Sequence, residues 1–330
     1  MTLTIHTMLA AALVFGGVAL GTGPLISLLR RFQVLDYPNE RSSHQRPTPV
    51  GGGVLIIATL VPAWLWLEGA AFLPLALAAL GLAGLSLVDD FRRVPTGLRF
   101  ICHIIAVAGV LYLNPGLAGW LPDAIPGPVA LVGIGLGWVW FINLFNFMDG
   151  IDGISGVECL GIGLGVAVIA ALDGVPSGHG SLGICLAAAA AGFLIWNWHP
   201  AKVFMGDVGS VPLGFLIGWL LLDMAAAGAW APAVILPAYY LADATITLLR
   251  RLLRGAAPWQ AHRDHFYQQA TQAGRSHARV ASLILALNAV LIALAALVPW
   301  LGTWPALAAA ATTTACLLTL FRQPDSAANP

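Results

Sequence analysis

The stretch PVALVGIGLGWVWFINLFNFMDGIDGISG, residues 128–156, joins an apolar run of membrane-spanning length to a polar turn rich in Asp and Gly. Asn143, Asn146 and Asp149 recur at every third position, so they form one strip at the end of a predicted helix. A polar strip on a membrane helix faces protein or water rather than lipid. The strip therefore predicts either an interhelical hydrogen-bonded seam or the edge of a site.

The composition extends this interpretation to the whole chain. The 330 residues are 59% hydrophobic and 9% charged, and the mean hydropathy is +0.85. Apolar runs of about 20 residues, the length that crosses a bilayer, recur throughout. The balance of 15 Lys and Arg against 15 Asp and Glu excludes a disordered chain and a basic nucleic-acid binder. We predict an all-α, polytopic integral membrane protein with one domain, residues 1–330, and a short disordered tail at 322–330.

The apolar runs predict eleven transmembrane helices. Their ranges are 8–29, 50–67, 70–88, 99–113, 128–146, 154–172, 181–198, 208–223, 231–252, 280–299 and 304–321. All 15 Lys and Arg residues lie in or beside one of the two alternating sets of loops. The positive-inside rule places that set in the cytoplasm, with the N-terminus outside and the C-terminus inside.

Four other segments of the predicted cytoplasmic loops carry polar chemistry. They are SLVDDFRRVPTGLR at 86–99, NWHPAKVFMGDVGS at 197–210, WQAHRDHFYQQ at 259–269 and NERSSHQRPTPVGGG at 39–53. Each combines acids, bases or glycines, and the opposite face has no counterpart. We therefore expect the five segments to form one composite site on the cytoplasmic face.

Several carboxylates in one site repel one another unless a cation lies among them. Oxygen ligands favour Mg²⁺, with Mn²⁺ as the alternative, and Mg²⁺ is commonly held by one or two carboxylates together with substrate phosphates. The Arg, Lys and glycine-rich elements would supply donors to those phosphates. These features favour phosphoryl transfer to or from a lipid in the bilayer.

Three other functions compete with this interpretation. A transporter would use intramembrane carboxylates such as Glu158 and Asp243, but the acids gather near one surface rather than at the midplane. A structural or partner-binding membrane protein would not need one-sided polar chemistry. The CDP-alcohol phosphotransferases use a DGxxAR motif, and DGIDGIS lacks its Ala-Arg pair.

From about residue 30 to 280 the chain resembles the polyprenyl-phosphate N-acetylhexosamine-1-phosphate transferases of glycosyltransferase family 4, relatives of phospho-N-acetylmuramoyl-pentapeptide transferase. The motifs RPTPVGGG, DDFRR, NFMDGIDG, NWHPAKVFMGDVGS and HRDHF occur in the family's order. The resemblance implies transfer of a sugar-1-phosphate from a UDP-N-acetylhexosamine to undecaprenyl phosphate, with release of UMP. It places a multi-pass enzyme in the lipid bilayer of the bacterial inner membrane, with a cytoplasmic active site. The oligomeric state stays open, with a homodimer among the alternatives.

The resemblance also implies roles for single residues. Asp207 matches the Mg²⁺ ligand, and Asp149 lines the same metal and nucleotide site. Phe204 matches the aromatic ring that stacks on uracil, and Asp89 and Asp90 match a pair that contacts or deprotonates the lipid phosphate. The remaining predicted catalytic residues are Asp152, His262, Arg263 and His265. The remaining predicted substrate-binding residues are Arg46, Arg93, Asn143, Asn146, Asn197 and Lys202.

Two departures bear on the substrate. Arg93 stands where the muramoyl-pentapeptide enzymes have lysine, and AHRDHF replaces their run of adjacent histidines. This pattern is similar to the branch that serves O-antigen, enterobacterial common antigen or teichoic-acid linkage, and it leaves the sugar open. We expect direct attack of the lipid phosphate on the UDP-sugar, with a covalent aspartyl phosphate as the alternative.

Overall fold

The computed structural model describes residues 4–38, 46–92, 94–122, 124–256 and 262–324, with the backbone alone at 90 and 91. The predicted site residue Arg93, the side chain of Asp90 and residues 325–330 of the predicted tail lie outside this description.

The described chain is helical almost throughout, which confirms the predicted fold class. The longer helices are α1 (Ile5–Arg31), α2 (Gly53–Glu68), α3 (Leu73–Arg92), α4 (Thr96–Leu113), α5 (Gly127–Met148), α6 (Ile154–Ala171), α7 (Ser177–Asn197) and α8 (Asp207–Met224). They are followed by α9 (Trp230–Ile235), α10 (Ala238–Leu253), α11 (Phe266–Gln272), α12 (His277–Ala296), α13 (Val298–Leu301) and α14 (Thr303–Phe321). A two-residue antiparallel pair, β1 (Leu35–Asp36) and β2 (Thr48–Pro49), precedes α2.

Nine stretches of the described chain are long and apolar enough to cross a membrane, where the sequence predicts eleven spans. One stretch, Gly53–Asp89, has 37 residues and contains the predicted spans 50–67 and 70–88. A straight helix of this length would be about 55 Å long, nearly twice the hydrocarbon thickness of a bilayer. Gly69, with a φ of 69°, ends α2 and separates it from α3. The stretch therefore contains two helices.

The predicted span 231–252 is divided in the structure. Its first part, α9, continues the apolar stretch Asp207–Ile235, and its second part is the 16-residue helix α10. Pro237 lies between them and has no N–H to continue the helical hydrogen bonds. The total of eleven crossings stays a prediction.

Helices α6, α7 and α8 form the centre of the described bundle. Within the apolar segment of α6, 72% of the residues are buried, whereas only 22% are buried in that of α4, which lies at the periphery. Glycines let the central backbones approach closely, as in many membrane bundles. A Cβ added to Gly163 of α6 would lie 2.6 Å from the carbonyl oxygen of Gly183 in α7. The loops of the site emerge from one end of this close-packed centre.

Candidate active site

The glycine run 51–53 packs against the segment that leads into α8. The N–H groups of residues 51 and 52 donate to the Phe204 carbonyl at 3.1 and 2.9 Å, and that of residue 53 donates to the Met205 carbonyl at 3.0 Å. A Cβ at residue 53 would lie 2.2 Å from the Cα of Gly209. The prediction that this run supplies donors to phosphates is therefore wrong, because its N–H groups are already used. The glycines instead allow α2 to approach the start of α8.

Three charged side chains meet where α3, α4 and α8 begin or end. Arg99 donates from Nη1 to Asp89 Oδ2 at 2.6 Å and to Asp207 Oδ2 at 3.2 Å. The other oxygen of Asp89 accepts the Val94 N–H at 2.6 Å. Arg99 is thus the cation that separates two of the predicted site carboxylates.

Two residues of the polar strip on α5 complete this cluster. The Asn146 side chain hydrogen-bonds the carboxylate of Asp207 and accepts the Ser210 hydroxyl at 2.8 Å. Asp149, which caps α5, lies close enough to Asp207 for their charges to repel. We call Asp89, Arg99, Asn146, Asp149 and Asp207 the acidic mouth.

The carboxyl group of Asp149 has a raised pKa. Burial raises its pKa to about 6, the charge of Asp207 acts in the same direction, and a hydrogen bond with Ser155 opposes them. The Ser155 hydroxyl in turn lies 3.1 Å from that of Tyr240. A carboxyl with this pKa is ionised for the most part at neutral pH and protonated in mild acid.

Asn143, one turn further into the membrane, does not reach the acidic mouth. Its Nδ2 donates to the Val139 carbonyl of its own helix at 2.7 Å, and its side chain hydrogen-bonds His103 on α4. The predicted substrate contact is corrected to a seam between α4 and α5. This is the alternative that the spacing left open, and it applies to part of the strip.

Asn197 ties two loops of the site together. Its Oδ1 accepts the Gly153 N–H at 2.9 Å, and its Nδ2 donates to the Val203 carbonyl at 2.9 Å. The side chain is buried, and both its oxygen and its nitrogen form hydrogen bonds with the backbone. Asn197 therefore supports the loops that carry Asp149 and Asp207, and its substrate-binding role stays a prediction.

Asp152 also points into the protein rather than into the acidic mouth. Its Oδ2 lies 2.6 Å from His199 Nδ1 and accepts the Ala201 N–H at 3.1 Å, and its Oδ1 lies 3.3 Å from His277 Nδ1. Burial alone would raise its pKa, but the hydrogen bonds with His277, His199 and Ala201 outweigh burial and lower it. The structure therefore shows Asp152 as a buried, ionised hydrogen-bond acceptor, and its catalytic role stays a prediction.

His265 belongs to an anchor for the last cytoplasmic loop. Its Nδ1 lies 3.1 Å from Oδ1 of Asp243, a fully buried carboxylate on α10. Further donors to this carboxylate are Thr247, Tyr239, Phe266 N–H and Tyr267 N–H. The histidine is 2% exposed. His265 therefore anchors the loop through Asp243, and its catalytic role stays a prediction.

The neighbours of His265 are more accessible. His262 stacks on His265 with ring centroids 4.9 Å apart. Burial lowers the pKa of His262 to about 4, and His265 and Arg251 act in the same direction. A neutral His262 can exchange hydrogen bonds with a substrate but brings no positive charge. Arg263 is half-buried beside it, and its backbone carbonyl accepts a hydrogen bond from the side chain of Gln272.

Three predicted substrate-binding residues lie on the segments around the start of α8. Phe204 is half-buried, and its N–H donates to the Pro49 carbonyl at 2.8 Å. The exposed Lys202 places its Nζ 5.2 Å from the centre of the Trp196 ring. Arg46 is exposed just before β2. Backbone contacts hold Phe204 in place beside the start of α8.

Comparison with known proteins supports a single family. The model of glycosyl transferase family 4 matches residues 72–225, which include Asp89, Asp149 and Asp207. The undecaprenyl-phosphate alpha-N-acetylglucosaminyl 1-phosphate transferase of Yersinia pestis is 30% identical over 283 residues, covering 79% of this chain and 75% of that protein. The chain belongs to glycosyl transferase family 4. This confirms the family that the motifs indicate.

Two further relatives show the range within family 4. The decaprenyl-phosphate N-acetylglucosaminephosphotransferase of Mycolicibacterium smegmatis is 29% identical over 311 residues, covering 80% of this chain and 75% of that protein. The phospho-N-acetylmuramoyl-pentapeptide-transferase of Moorella thermoacetica is 33% identical over 233 residues, with 60% of this chain and 70% of that protein covered.

The donor set of this family 4 member fits a hard divalent cation. Asp149 and Asp207 offer carboxylate oxygens on two sides of the acidic mouth, and Asn146 offers an amide oxygen. Mg²⁺ commonly takes one or two carboxylates and completes its shell with water and phosphate oxygens. Asp149 and Asp207 are therefore the residues that would hold it, as the resemblance implies.

Arg99 is the site residue that the sequence interpretation missed. It lies in the first turn of α4, where the positive end of the helix dipole disfavours a cation. An arginine retained at such a position signals an acidic partner elsewhere in the fold. Its partners here are Asp89 and Asp207, which are 10 and 108 residues away in sequence.

Proposed function

We propose that this protein transfers an N-acetylhexosamine-1-phosphate from a UDP-sugar to undecaprenyl phosphate and releases UMP. The observation that carries the proposal is the acidic mouth, where Arg99 bridges the carboxylates of Asp89 and Asp207 and a third carboxylate, Asp149, lies near Asp207. Carboxylates that gather a metal, next to a cation that binds phosphate, are the groups that phosphoryl transfer requires. The names of the relatives from Yersinia pestis and Mycolicibacterium smegmatis support this reaction and N-acetylglucosamine as the sugar.

The proposed reaction assigns a task to each of these groups. An oxygen of the lipid phosphate attacks the β-phosphorus of the UDP-sugar, and the bond from that phosphorus to the bridging oxygen breaks, so that UMP leaves with the electron pair. Arg99 holds phosphate oxygens in line for this displacement. Mg²⁺ held by Asp149 and Asp207 would neutralise phosphate charge and stabilise the departing UMP.

Direct attack is favoured over a covalent aspartyl phosphate. Both oxygens of Asp89 already accept hydrogen bonds, from Val94 N–H and from Arg99. Because both oxygens are engaged, neither is free to attack a phosphorus atom. Asp89 therefore orients Arg99, and we propose one-step transfer.

The lipid acceptor has a complementary surface within the membrane region. An apolar groove of about 540 Å³ lies between α10 and α14, and one of about 440 Å³ lies between α5, α8 and α9. Val234 and Leu241 line both. We propose that the prenyl chain lies along these grooves, with its phosphate at the acidic mouth.

The proposed setting is the cytoplasmic face of the bacterial inner membrane, and the proposed role is the first step of O-antigen or related envelope polysaccharide synthesis. The experiment incubates the purified protein with undecaprenyl phosphate, Mg²⁺ and a panel of UDP-N-acetylsugars, and measures UMP. We expect UMP from UDP-N-acetylglucosamine in the presence of the lipid and none without it. UMP release that does not depend on the lipid would contradict the proposal.

Phe204→Ala should raise the KM for the UDP-sugar roughly five- to a hundredfold, because stacking on a base contributes about 1–3 kcal/mol. The KM for undecaprenyl phosphate should not change. Phe204→Tyr keeps an aromatic face and should bind the UDP-sugar normally, whereas Phe204→Leu keeps only bulk and should resemble the alanine variant. Equal KM values for the leucine and tyrosine variants would show that the ring acts by packing.

Mn²⁺ binding should weaken in acid through Asp149. Its pKa lies near 6 because of burial, and a cation binds the deprotonated carboxylate. Below this value the apparent affinity should fall roughly tenfold for each pH unit, and above it the affinity should level off. Electron paramagnetic resonance of free Mn²⁺ measures the affinity. Asp149→Asn should bind Mn²⁺ weakly, and its affinity should no longer fall below about pH 6. If the fall in affinity persists in this variant, another group causes it.

Side-specific labelling tests the topology. The four native cysteines are first replaced, and single cysteines are placed at the exposed residues Arg92, Arg254, Asn114 and Asp173. A membrane-impermeant maleimide should label positions 114 and 173 in intact cells, and positions 92 and 254 only after permeabilisation. Labelling of position 92 from outside would place the acidic mouth on the wrong side for a nucleotide made in the cytoplasm.

A further inference from the structure

Asp152, His199 and His277 form a cluster that the proposed transfer step does not use, in which Asp152 and His277 are buried and His199 is exposed. The three residues come from three different segments: the α5–α6 loop, the residues just after α7, and the first turn of α12. Their ligand-type atoms lie within 4.8 Å of one another. The two histidine rings are 5.1 Å apart.

The distances in this cluster are those of hydrogen bonds rather than of a metal centre. His199 Nδ1 lies 2.6 Å from Asp152 Oδ2. Two ligands of one tetrahedral zinc ion, each about 2.0–2.1 Å from the metal, lie roughly 3.3 Å apart. The same Asp152 oxygen also accepts the Ala201 N–H at 3.1 Å, so its lone pairs are already engaged. The cluster therefore fastens the α5–α6 loop to its two neighbours.

The loop that it fastens carries Asp149. Tyr267 fixes one end of the loop, because its hydroxyl donates to the Phe147 carbonyl at 3.2 Å. Asn197 fixes the other end through the Gly153 N–H at 2.9 Å. Asp152 lies between these two points, and its contacts reach a third element, α12. With all three in place, the backbone that positions the Asp149 carboxylate has little freedom to move.

We propose that His199 and His277 are positioning residues, which clamp Asp152 so that Asp149 stays in the acidic mouth beside Asp207. The proposal rests on the proposed function and adds to it. The start of α12 thereby becomes part of the support for the active site.

His277→Ala should lower kcat and Mn²⁺ affinity roughly ten- to a hundredfold, the effect of losing a hydrogen bond to a buried charge. The KM for undecaprenyl phosphate should stay unchanged. His277→Asn places an amide near the position of Nδ1 and should restore most of both quantities. Equal losses in the alanine and asparagine variants, or a changed lipid KM with normal Mn²⁺ affinity, would overturn the proposal.

A double-mutant cycle tests whether the histidine acts through Asp152. If it does, His277→Ala combined with Asp152→Asn should be no worse than the more damaging single change. Losses that multiply would show that the two residues act independently and would contradict the clamp. Elemental analysis of the purified protein should find no bound zinc. One zinc ion per chain that is lost in either variant would show that the cluster is a metal centre and would contradict the clamp.

Hydrogen exchange separates failure of the clamp from failure of the proposed function. Amides of residues 149–153 should exchange faster in His277→Ala than in the natural protein, and at the natural rate in His277→Asn. This measurement does not depend on turnover. Unchanged exchange in an active enzyme would overturn the clamp alone, whereas faster exchange in a protein that releases no UMP would support the clamp and reject the transferase.

Discussion

Asp207→Asn should abolish turnover, with a loss of at least roughly a hundredfold in kcat, because a bound cation supplies several kcal/mol of transition-state stabilisation. The substitution keeps the size of the side chain and removes its charge, so the packing at the start of α8 should persist. UMP release measures turnover, and electron paramagnetic resonance measures Mn²⁺ binding, which should be lost in parallel.

A matched control lies at the other end of the same helix. Asp223 pairs with His179 at 2.9 Å and lies far from the acidic mouth along α8. Asp223→Asn should keep normal turnover and normal Mn²⁺ affinity. Substantial activity in Asp207→Asn at saturating Mg²⁺ would remove Asp207 from the metal site.

Arg99→Ala should lower kcat/KM roughly ten- to a hundredfold, through the loss of charge-assisted hydrogen bonds. Without the guanidinium, Asp89 and Asp207 face each other with no cation between them, and the incoming phosphates lose a partner. Arg99→Lys keeps the charge but not the planar pair of donors, so its activity should be intermediate.

The control for Arg99 is another cation on the same predicted face. Arg31 ends α1 and is exposed. Arg31→Ala should leave turnover unchanged, so a loss in Arg99→Ala cannot be ascribed to the overall charge of that face. Wild-type kcat/KM in Arg99→Ala would show that the arginine only balances the charges of Asp89 and Asp207.

The sequence predicted the membrane fold because its signal is local. Span-length apolar runs and the absence of charge within them do not depend on how the helices pack. The predicted break between 67 and 70 agrees with the end of α2 at Gly69, and a boundary was missed where proline divides a helix, as at Pro237. Hydropathy averages over such local backbone features.

The site was predicted as a region, but not residue by residue. The spacing correctly placed three polar residues on one strip of α5. Asn146 and Asp149 reach the acidic mouth, whereas Asn143 forms hydrogen bonds within its own helix and with α4. A motif gives every polar residue the same weight. Burial then decides which of them must be satisfied inside the protein and which remain for a ligand.

The partners of the buried polar residues lie far away in sequence. Asp243 and His265 are 22 residues apart, and Asp152 and His277 are 125 apart. Such pairs depend on the packing of whole helices, which residue spacing does not encode. This is why the sequence predicted catalytic roles for His265 and Asp152 and a substrate-binding role for Asn197, but not the contacts through which they support the loops.

The position of the phosphorus atoms in the products tests the central claim most directly. Purified protein is incubated with undecaprenyl phosphate, Mg²⁺ and UDP-N-acetylglucosamine labelled with ³²P at the β-phosphate. Transfer of a sugar-1-phosphate predicts that the label enters the lipid product and that the nucleotide product is unlabelled UMP. Label recovered in UDP, with an unlabelled lipid product, would show transfer of the sugar alone and contradict attack on the β-phosphorus.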